Sequence, residues 1–285
     1  MRRGTPRPIV KWAGGKGQLL QDLEDNLPTS FETYYEPFFG GGALFFFLSS
    51  KGLVKRAILS DLNQDLMNLY MVVRNKVDEL IEELASGRYK NERDAYYRIR
   101  ADEPTDPIKR AARFIYLNRT CYNGLYRVNA AGKFNVPFGR YRNPKILDVD
   151  NLRAASQALK KAKLLASDFE DAVRSAKAGD FVYFDPPYDP VSDTAVFTSY
   201  TERGFGAEEQ ERLARVFREL DGRGCFVLES NSSTKLIKDL YSGYHIVQVF
   251  ARRPISSDAS TRGPIQELLI RNYEVTLPQT RIDEF

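Results

Sequence analysis

The four residues Asp185-Pro186-Pro187-Tyr188, at the end of the apolar run Phe181 to Phe184, carry the strongest chemical signal in the chain. Proline fixes φ and removes a donor, so the backbone carbonyls of Asp185 and Pro186 are free to face a ligand in a fixed direction and the segment forms a rigid rim. An amino group suits such a rim. The Asp185 carboxylate and the Pro186 carbonyl can accept both hydrogens of an aromatic NH₂, drawing its lone pair out of conjugation while Tyr188 stacks on the ring. The chemistry implied is alkylation of an otherwise poor nucleophile. A Pro-Pro turn that merely ends a strand is the competing reading, so the tetrapeptide needs support from the rest of the chain.

A second signal is Tyr34-Tyr35-Glu36-Pro37-Phe38-Phe39-Gly40-Gly41-Gly42, a short apolar strand entering three glycines. Glycines where a strand turns into a helix let a ligand approach the backbone closely. Asp61 follows about twenty residues later at the end of the next apolar run, where an acidic side chain in a nucleotide fold accepts ribose hydroxyls. Lys11-Trp12-Ala13-Gly14-Gly15-Lys16 adds a cation, an aromatic ring and mobile backbone, which suit a carboxylate-bearing cofactor or a phosphate backbone. This is not a P-loop: the first glycine of that motif is missing, and Gly17 stands where Ser or Thr would bind magnesium. His245 is the only histidine, which argues against a Ser-His-Asp hydrolase and most zinc sites. Cys121 and Cys225 lie far apart and outside metal-ligand spacing, so they read as two reduced thiols and no metal is expected.

These groups need elements to hold them. Ala57 to Ser60 before Asp61, Leu164 to Ser167 before Asp168, and Phe181 to Phe184 before Asp185 read as buried parallel strands with functional carboxyl ends. Cys225 to Leu228, before Glu229, Ser230 and Asn231, is a fourth, following a helix whose core face carries Leu213, Val216, Phe217 and Leu220. His245 to Ala251 and Gln266 to Tyr273, joined by the polar stretch Arg252 to Pro264, predict an antiparallel hairpin closing one sheet edge. Between Asp61 and Leu164 the alternation stops. Helical patterns over Asp65 to Leu84 and Ile108 to Leu117 lead there into the Gly, Asn and Pro-rich stretch Tyr122 to Pro144. The expected organisation is a catalytic and cofactor domain split between residues 1–64 and 151–285, with an inserted domain over 65–150.

The insert is also where the charge lies. Lys109 to Lys145 holds nine Lys or Arg and no Asp or Glu, and extending it to Arg88 gives fourteen basic against five acidic residues, a local +9. The chain carries +4 in all, so the remainder is −5. Such asymmetry implies two parts with different partners, the basic one facing a polyanion. The N-terminus has no apolar core of a signal peptide, and no apolar stretch reaches membrane-spanning length, so a cytoplasmic protein without a membrane partner is expected.

Together these segments resemble the DNA adenine methyltransferases of the Dam type, in which the cofactor motif comes first, a recognition insert next and the catalytic motif last. The resemblance covers nearly the whole chain. It implies an α/β fold with a Rossmann-like class I methyltransferase sheet, mostly parallel with a terminal antiparallel hairpin, plus an inserted, mainly helical DNA-recognition domain with a β-hairpin. S-adenosylmethionine is the implied methyl donor. Its implied contacts are Trp12, Ala13, Gly14, Lys16, Glu36, Pro37, Phe38, Gly40, Gly42, Asp61, Asp168, Phe169 and Asp185, while Asp185 to Tyr188 match the catalytic tetrapeptide. Cys121-Tyr122-Asn123-Gly124-Leu125-Tyr126-Arg127-Val128-Asn129 with Phe134-Asn135-Val136-Pro137-Phe138-Gly139-Arg140-Tyr141 looks like the hairpin that reads the palindrome GATC in duplex DNA. Asn123, Leu125, Arg127, Pro137 and Tyr141 match its base-facing positions, and Lys11, Arg119, Asn135 and Arg140 complete the expected DNA-contacting set. Arg127 could donate a bidentate pair to a guanine edge, worth about 1–3 kcal/mol of discrimination.

Asp189 to Gly206, polar and aromatic with Gly204 and Gly206 near its end, reads as a loop that closes behind the flipped base, with Tyr200 or Phe197 as an intercalating wedge. A palindrome can be served by a monomer acting twice, although a dimer fits too, and a restriction endonuclease sharing the site is a possible partner. Three alternatives stay open at this level. Cytosine-N4 methylation fits the same rim, RNA or protein-glutamine methylation is a further enzyme reading, and a catalytically silent DNA-binding protein could keep the fold as a scaffold.

Overall fold

The computed structural model describes residues 4–189, 205–251 and 265–275. The chain is α/β, and among the described residues it forms a Rossmann-like sheet of seven strands: β1 (Tyr34–Glu36), β2 (Ala57–Ser60), β3 (Ala162–Leu165), β4 (Phe181–Phe184), β5 (Phe226–Ser232), β6 (His245–Ala251) and β7 (Ile265–Arg271), ordered β3-β2-β1-β4-β5-β7-β6. The pairs β2/β3, β1/β4 and β4/β5 are parallel. β7 runs antiparallel between β5 and β6, so the expected terminal hairpin closes one edge.

Burial explains these strands and their limits. All four residues of β4 are buried, as in a parallel strand covered on both faces, which is why its sequence shows no alternation. β5 departs from the sequence reading, which ended it before Glu229; it continues through Glu229, Ser230, Asn231 and Ser232, all buried. Its polar half is carried by the antiparallel ladder to β7, with Asn231 opposite Leu268 and Ser232 opposite Glu267. β3 starts two residues before the apolar run because Ala162 pairs with Ala57, at the start of β2.

The chain forms two compact units, one from the described parts of Met1–Gly15 and Pro37–Ala172, the other from those of Lys16–Glu36 and Val173–Phe285. The first contains the helices Gln64–Asn75, Val77–Ala85, Arg93–Ala101, Pro107–Thr120 and Val149–Leu159. Asp106 caps the fourth by accepting from the Lys109 amide, with Pro107 in its first turn, where a missing N–H costs nothing. The pattern Asp65 to Leu84 is two helices, broken at Lys76 (φ −140°, ψ 43°), and the second buries Leu80 and Leu84 as it packs against Pro107–Thr120. Residues 121–141 double back as an irregular hairpin. Two isolated bridges, Cys121 with Phe138 and Val128 with Phe134, hold its arms. A continuous ladder is blocked because Pro137 has no donor and Asn123 and Arg140 adopt left-handed φ of 55° and 54°.

In the second unit the helix Ala207–Gly222 buries Leu213, Val216, Phe217 and Leu220 as the periodicity predicts, and with them Gln210. Among the described residues no helix is long and apolar enough to cross a membrane.

Candidate active site

In the second unit, parallel pairing places Phe184 opposite Glu229, which brings the residues following β4 level with the polar half of β5. The Asp185 carboxylate is gripped there from two sides. Its Oδ1 lies 2.7 Å from Lys16 Nζ and accepts from Ser230 Oγ at 2.9 Å. The Ser230 hydroxyl has one hydrogen, committed to Asp185, so the Tyr183 hydroxyl 2.9 Å away donates to it. The Lys16 side chain is only 6 % exposed, so its charge acts on Asp185 with little screening by solvent. Its ammonium also lies 4.7 Å from the centre of the Tyr188 ring, a cation–π contact that fixes the ring face.

The other residues of the tetrapeptide are held as well. Tyr188 OH donates to Glu267 Oε2 at 2.5 Å, and the Pro187 carbonyl accepts from Gln210 Nε2 at 3.0 Å. Burial, then the charges of Asp185 and Glu267, push the Tyr188 phenol well above its ordinary range, so it remains a neutral donor. Behind Gln210, Asn231 and Tyr241 bond to Glu229, whose carboxyl burial pushes up to about 7 against those hydrogen bonds. Glu36 ends β1 as a buried acceptor for Tyr34 OH at 2.8 Å. Among the predicted residues of this unit, Lys16, Asp185 and Tyr188 are thus in direct contact, while Glu36 accepts from Tyr34.

The first unit assembles the glycine motif. The Gly40 amide donates to Asp61 Oδ2 at 2.9 Å and the Asn63 amide to Oδ1 at 2.9 Å, so backbone groups aim this carboxylate. Burial nevertheless raises its pKa. Gly40 has φ 46°, and a β-carbon there would lie 2.6 Å from Trp12 Cδ1. Only glycine lets the Trp12 indole lie this close to the loop. Pro37 accepts from Ser60 Oγ, Gly42 caps the helix Ala43–Ser50, and the Phe38 ring stacks on Phe169 at 5.3 Å. Asp168 caps the short helix Phe169–Ala172 through the Glu170 amide. Ala13 and Gly14 are exposed in the turn closed from Gly15 N to the Trp12 carbonyl. An indole, a stacked ring pair, close backbone and an aimed carboxylate fit an adenosine group; no metal-holding cluster of His, Cys, Asp and Glu occurs among the described residues.

The predicted DNA-contacting residues lie in the same unit, mostly on the irregular hairpin. Arg127 is exposed and donates through Nε to Asn135 Oδ1 at 2.7 Å, so the two terminal nitrogens are the ones its fork presents. Lys11 Nζ sits 4.8 Å from the centre of the Tyr141 ring. The Asn118 side chain clamps the Lys11 backbone at both its N–H and its C=O, each at 2.8 Å, and reaches the Gly124 carbonyl at 3.1 Å. Gly124 has φ 65°, and a β-carbon there would strike the Lys11 side chain. Asn123, Leu125, Pro137 and Arg140 are exposed. Arg119 stands apart: its half-buried guanidinium donates to the Ile9 carbonyl, and burial lowers its pKa.

Ser230, Gln210, Asn231, Glu229 and Glu267 support the tetrapeptide but belong to no motif. The polar string Glu229-Ser230-Asn231 after an apolar run was the one signal that could have singled out three of them. Trp12, Phe114 and Tyr126 also form a stacked cluster, with Phe114 and Tyr126 centred 5.1 Å apart. Both cysteines are free and buried, and burial pushes each thiol up to about 11, leaving neither poised as a nucleophile. The suggested wedge residues Phe197 and Tyr200 lie outside the described residues.

Comparison with known proteins gives a consistent result. Residues 12–255 match the family described as D12 class N6 adenine-specific DNA methyltransferase. The chain is 47 % identical to the Type II methyltransferase M.MjaIII of Methanocaldococcus jannaschii, with 94 % of this chain and 99 % of that protein covered. It is 42 % identical to the Type II methyltransferase M1.LlaDCHI of Lactococcus lactis, over 94 % and 95 % of the two chains. Identity to the DNA adenine methylase of Escherichia coli is 40 %, over 92 % and 94 %.

Proposed function

Since this chain belongs to the D12 class of N6 adenine-specific DNA methyltransferases, we propose that it methylates the adenine of GATC in duplex DNA, with that adenine flipped out of the helix. The observation that carries the reading is the Asp185 carboxylate, held by Lys16 and Ser230 beside a proline pair whose φ angles are locked. S-adenosylmethionine would supply the activated methyl carbon, its carbon–sulfur bond breaking as the nitrogen–carbon bond forms and S-adenosylhomocysteine leaving. Asp185 and the Pro186 carbonyl accept the two amino hydrogens of adenine and turn its lone pair toward that carbon, while Tyr188, pinned by Glu267, stacks on the base. The gain is positioning, together with oxygen dipoles already directed at the cationic amine as it forms. The proton leaves late, to solvent or to Asp185.

Asp61 and the loop Pro37 to Gly42 hold the ribose in this reading, and Phe38, Phe169 and Trp12 flank the adenosine. The exposed hairpin reads the site, with Arg127 on a guanine edge and surrounding Lys and Arg on phosphates. The inserted segment 65–150 thereby acts as the recognition domain. A monomer serves the palindrome by acting twice. The Type II names of two relatives suggest a restriction endonuclease that cuts the same site.

The test is transfer of labelled methyl from S-adenosylmethionine to two duplexes differing only in GATC versus GTAC, followed by nucleoside analysis. Label in N6-methyladenine from GATC alone is expected. Label in both duplexes would keep the chemistry and discard the site, and label in neither would overturn the reading.

A further inference from the structure

Gln210 is the centre of a buried hydrogen-bond chain that the chemistry above does not use. Its side chain is fully buried in the first turn of Ala207–Gly222, with Nε2 donating to the Pro187 carbonyl at 3.0 Å. Its Oε1 accepts from Asn231 Nδ2 at 2.9 Å, and the same nitrogen donates to Glu229 Oε1 at 2.9 Å. Asn231 Oδ1 accepts from the Ser232 amide at 2.8 Å, and Glu229 Oε2 accepts from Tyr241 OH at 2.6 Å.

The direction of this chain is forced. A carbonyl only accepts, so Gln210 must turn its amide nitrogen toward Pro187 and its oxygen toward Asn231. Flipping Gln210 would set oxygen against oxygen at Pro187 and nitrogen against nitrogen at Asn231. Flipping Asn231 would face its oxygen with two acceptors and its nitrogen with the Ser232 donor. The Tyr241 hydroxyl can donate or accept, so the hold of Asn231 on Glu229 survives either protonation state of that carboxyl. One arrangement satisfies every member, and such a network is stiff.

An apolar side chain at position 210 would pack this helix without the cost of desolvating an amide. We infer that Gln210, backed by Asn231 and Glu229, is a positioning residue for methyl transfer, clamping the Pro187 carbonyl and thereby setting the direction of the Pro186 carbonyl that receives the adenine amino group. The transmission is covalent: the ring locks φ at Pro187, so ψ is the one soft torsion between its carbonyl and the preceding peptide plane, and the hydrogen bond that holds the Pro187 carbonyl holds that torsion and with it the plane carrying the Pro186 carbonyl. The clamped peptide plane also carries the Tyr188 backbone, whose side chain is tied to Glu267.

This inference rests on Asp185 to Tyr188 being the catalytic rim, and the test separates the two. Gln210→Glu removes the donor while its carboxyl is ionised and restores one when protonated. At about pH 8.5, kcat on a GATC duplex should fall roughly 100-fold, the scale of a misplacement of about 1 Å, with KM for DNA and Kd for S-adenosylmethionine within about threefold of wild type. The ratio of variant to wild-type kcat should then climb as the pH is lowered toward about 6. Gln210→Met, of similar length and without a donor, should show the same loss and no recovery at lower pH, with a Tm that, although lowered by the stranded Pro187 carbonyl, stays well above the assay temperature. Either variant keeping kcat within about twofold of wild type at high pH would overturn the inference. So would a loss in Gln210→Glu that is flat with pH and matched by weaker DNA and donor binding, since that is a folding effect. Asp185→Ala is assayed beside them: retained methyl transfer there defeats the catalytic reading itself, whereas an inactive Asp185→Ala with unaffected Gln210 variants defeats this inference alone.

Discussion

Gly40 shows how much a single residue can decide. Its left-handed φ and the indole of Trp12 against its α-carbon leave no place for a side chain, and its amide aims Asp61. Gly40→Ala should therefore strain the backbone by about 1–2 kcal/mol and push Trp12 away. Calorimetric titration is expected to show S-adenosylmethionine binding weakened by roughly tenfold or more, about 1.4 kcal/mol. Unchanged affinity would mean that the donor binds elsewhere. Asp185 makes the complementary point. Its type was legible as an acceptor, but its orientation by Lys16 and Ser230 was not, because these partners lie 169 and 45 residues away in sequence.

Among the elements, β5 is the most informative. Its first half is an apolar strand that periodicity predicts, while its second half is polar and buried because β7 supplies the ladder and the tetrapeptide supplies the acceptors. Glu229 in that half gives the strand a pH dependence. Its carboxyl sits near 7 in the fold against an ordinary value of 4.5, so between those values the folded state binds more protons than the unfolded one. The contribution to stability is full below the unfolded value and is lost as the pH rises through about 7; at about 1.4 kcal/mol for each pH unit between the two values, it amounts to a few kcal/mol. Glu229→Gln, neutral throughout, should lack this component. Urea unfolding followed from about pH 4.5 to pH 8 should show variant stability rising relative to wild type. A constant difference would mean that Glu229 does not titrate in this window in the folded protein.

For the whole molecule the charge distribution sets the partner. A local +9 over residues 88–145 beside −5 elsewhere is a surface for a polyanion, and membership of an adenine-specific family decides against the cytosine reading left open by the rim chemistry. The exposed arginines should divide by what they contact. Arg127→Ala is expected to relax discrimination between GATC and single-base variants by about 1–3 kcal/mol. Arg142→Ala, also exposed, should weaken all duplexes alike and lower the salt slope of binding by about one. Titrations at several salt concentrations separate the two, and equal loss on every duplex for Arg127→Ala would remove it from base reading.

The amino-acid sequence by itself determined the α/β class, the strands β2, β4 and β6 to the residue, the core face of Ala207–Gly222 and the residue types of the rim. Those features are local: an apolar run, a helical period and a proline pair each express a short-range preference. Tertiary structure alone decided that Lys16 lies against Asp185, that Arg119 donates to the Ile9 carbonyl, that the hairpin is held by isolated bridges, and that Gln210 reaches Pro187. Each depends on a partner distant along the chain, and a polar side chain carries no local sign of whether its hydrogen bond will be to water or, once buried, to another part of the protein.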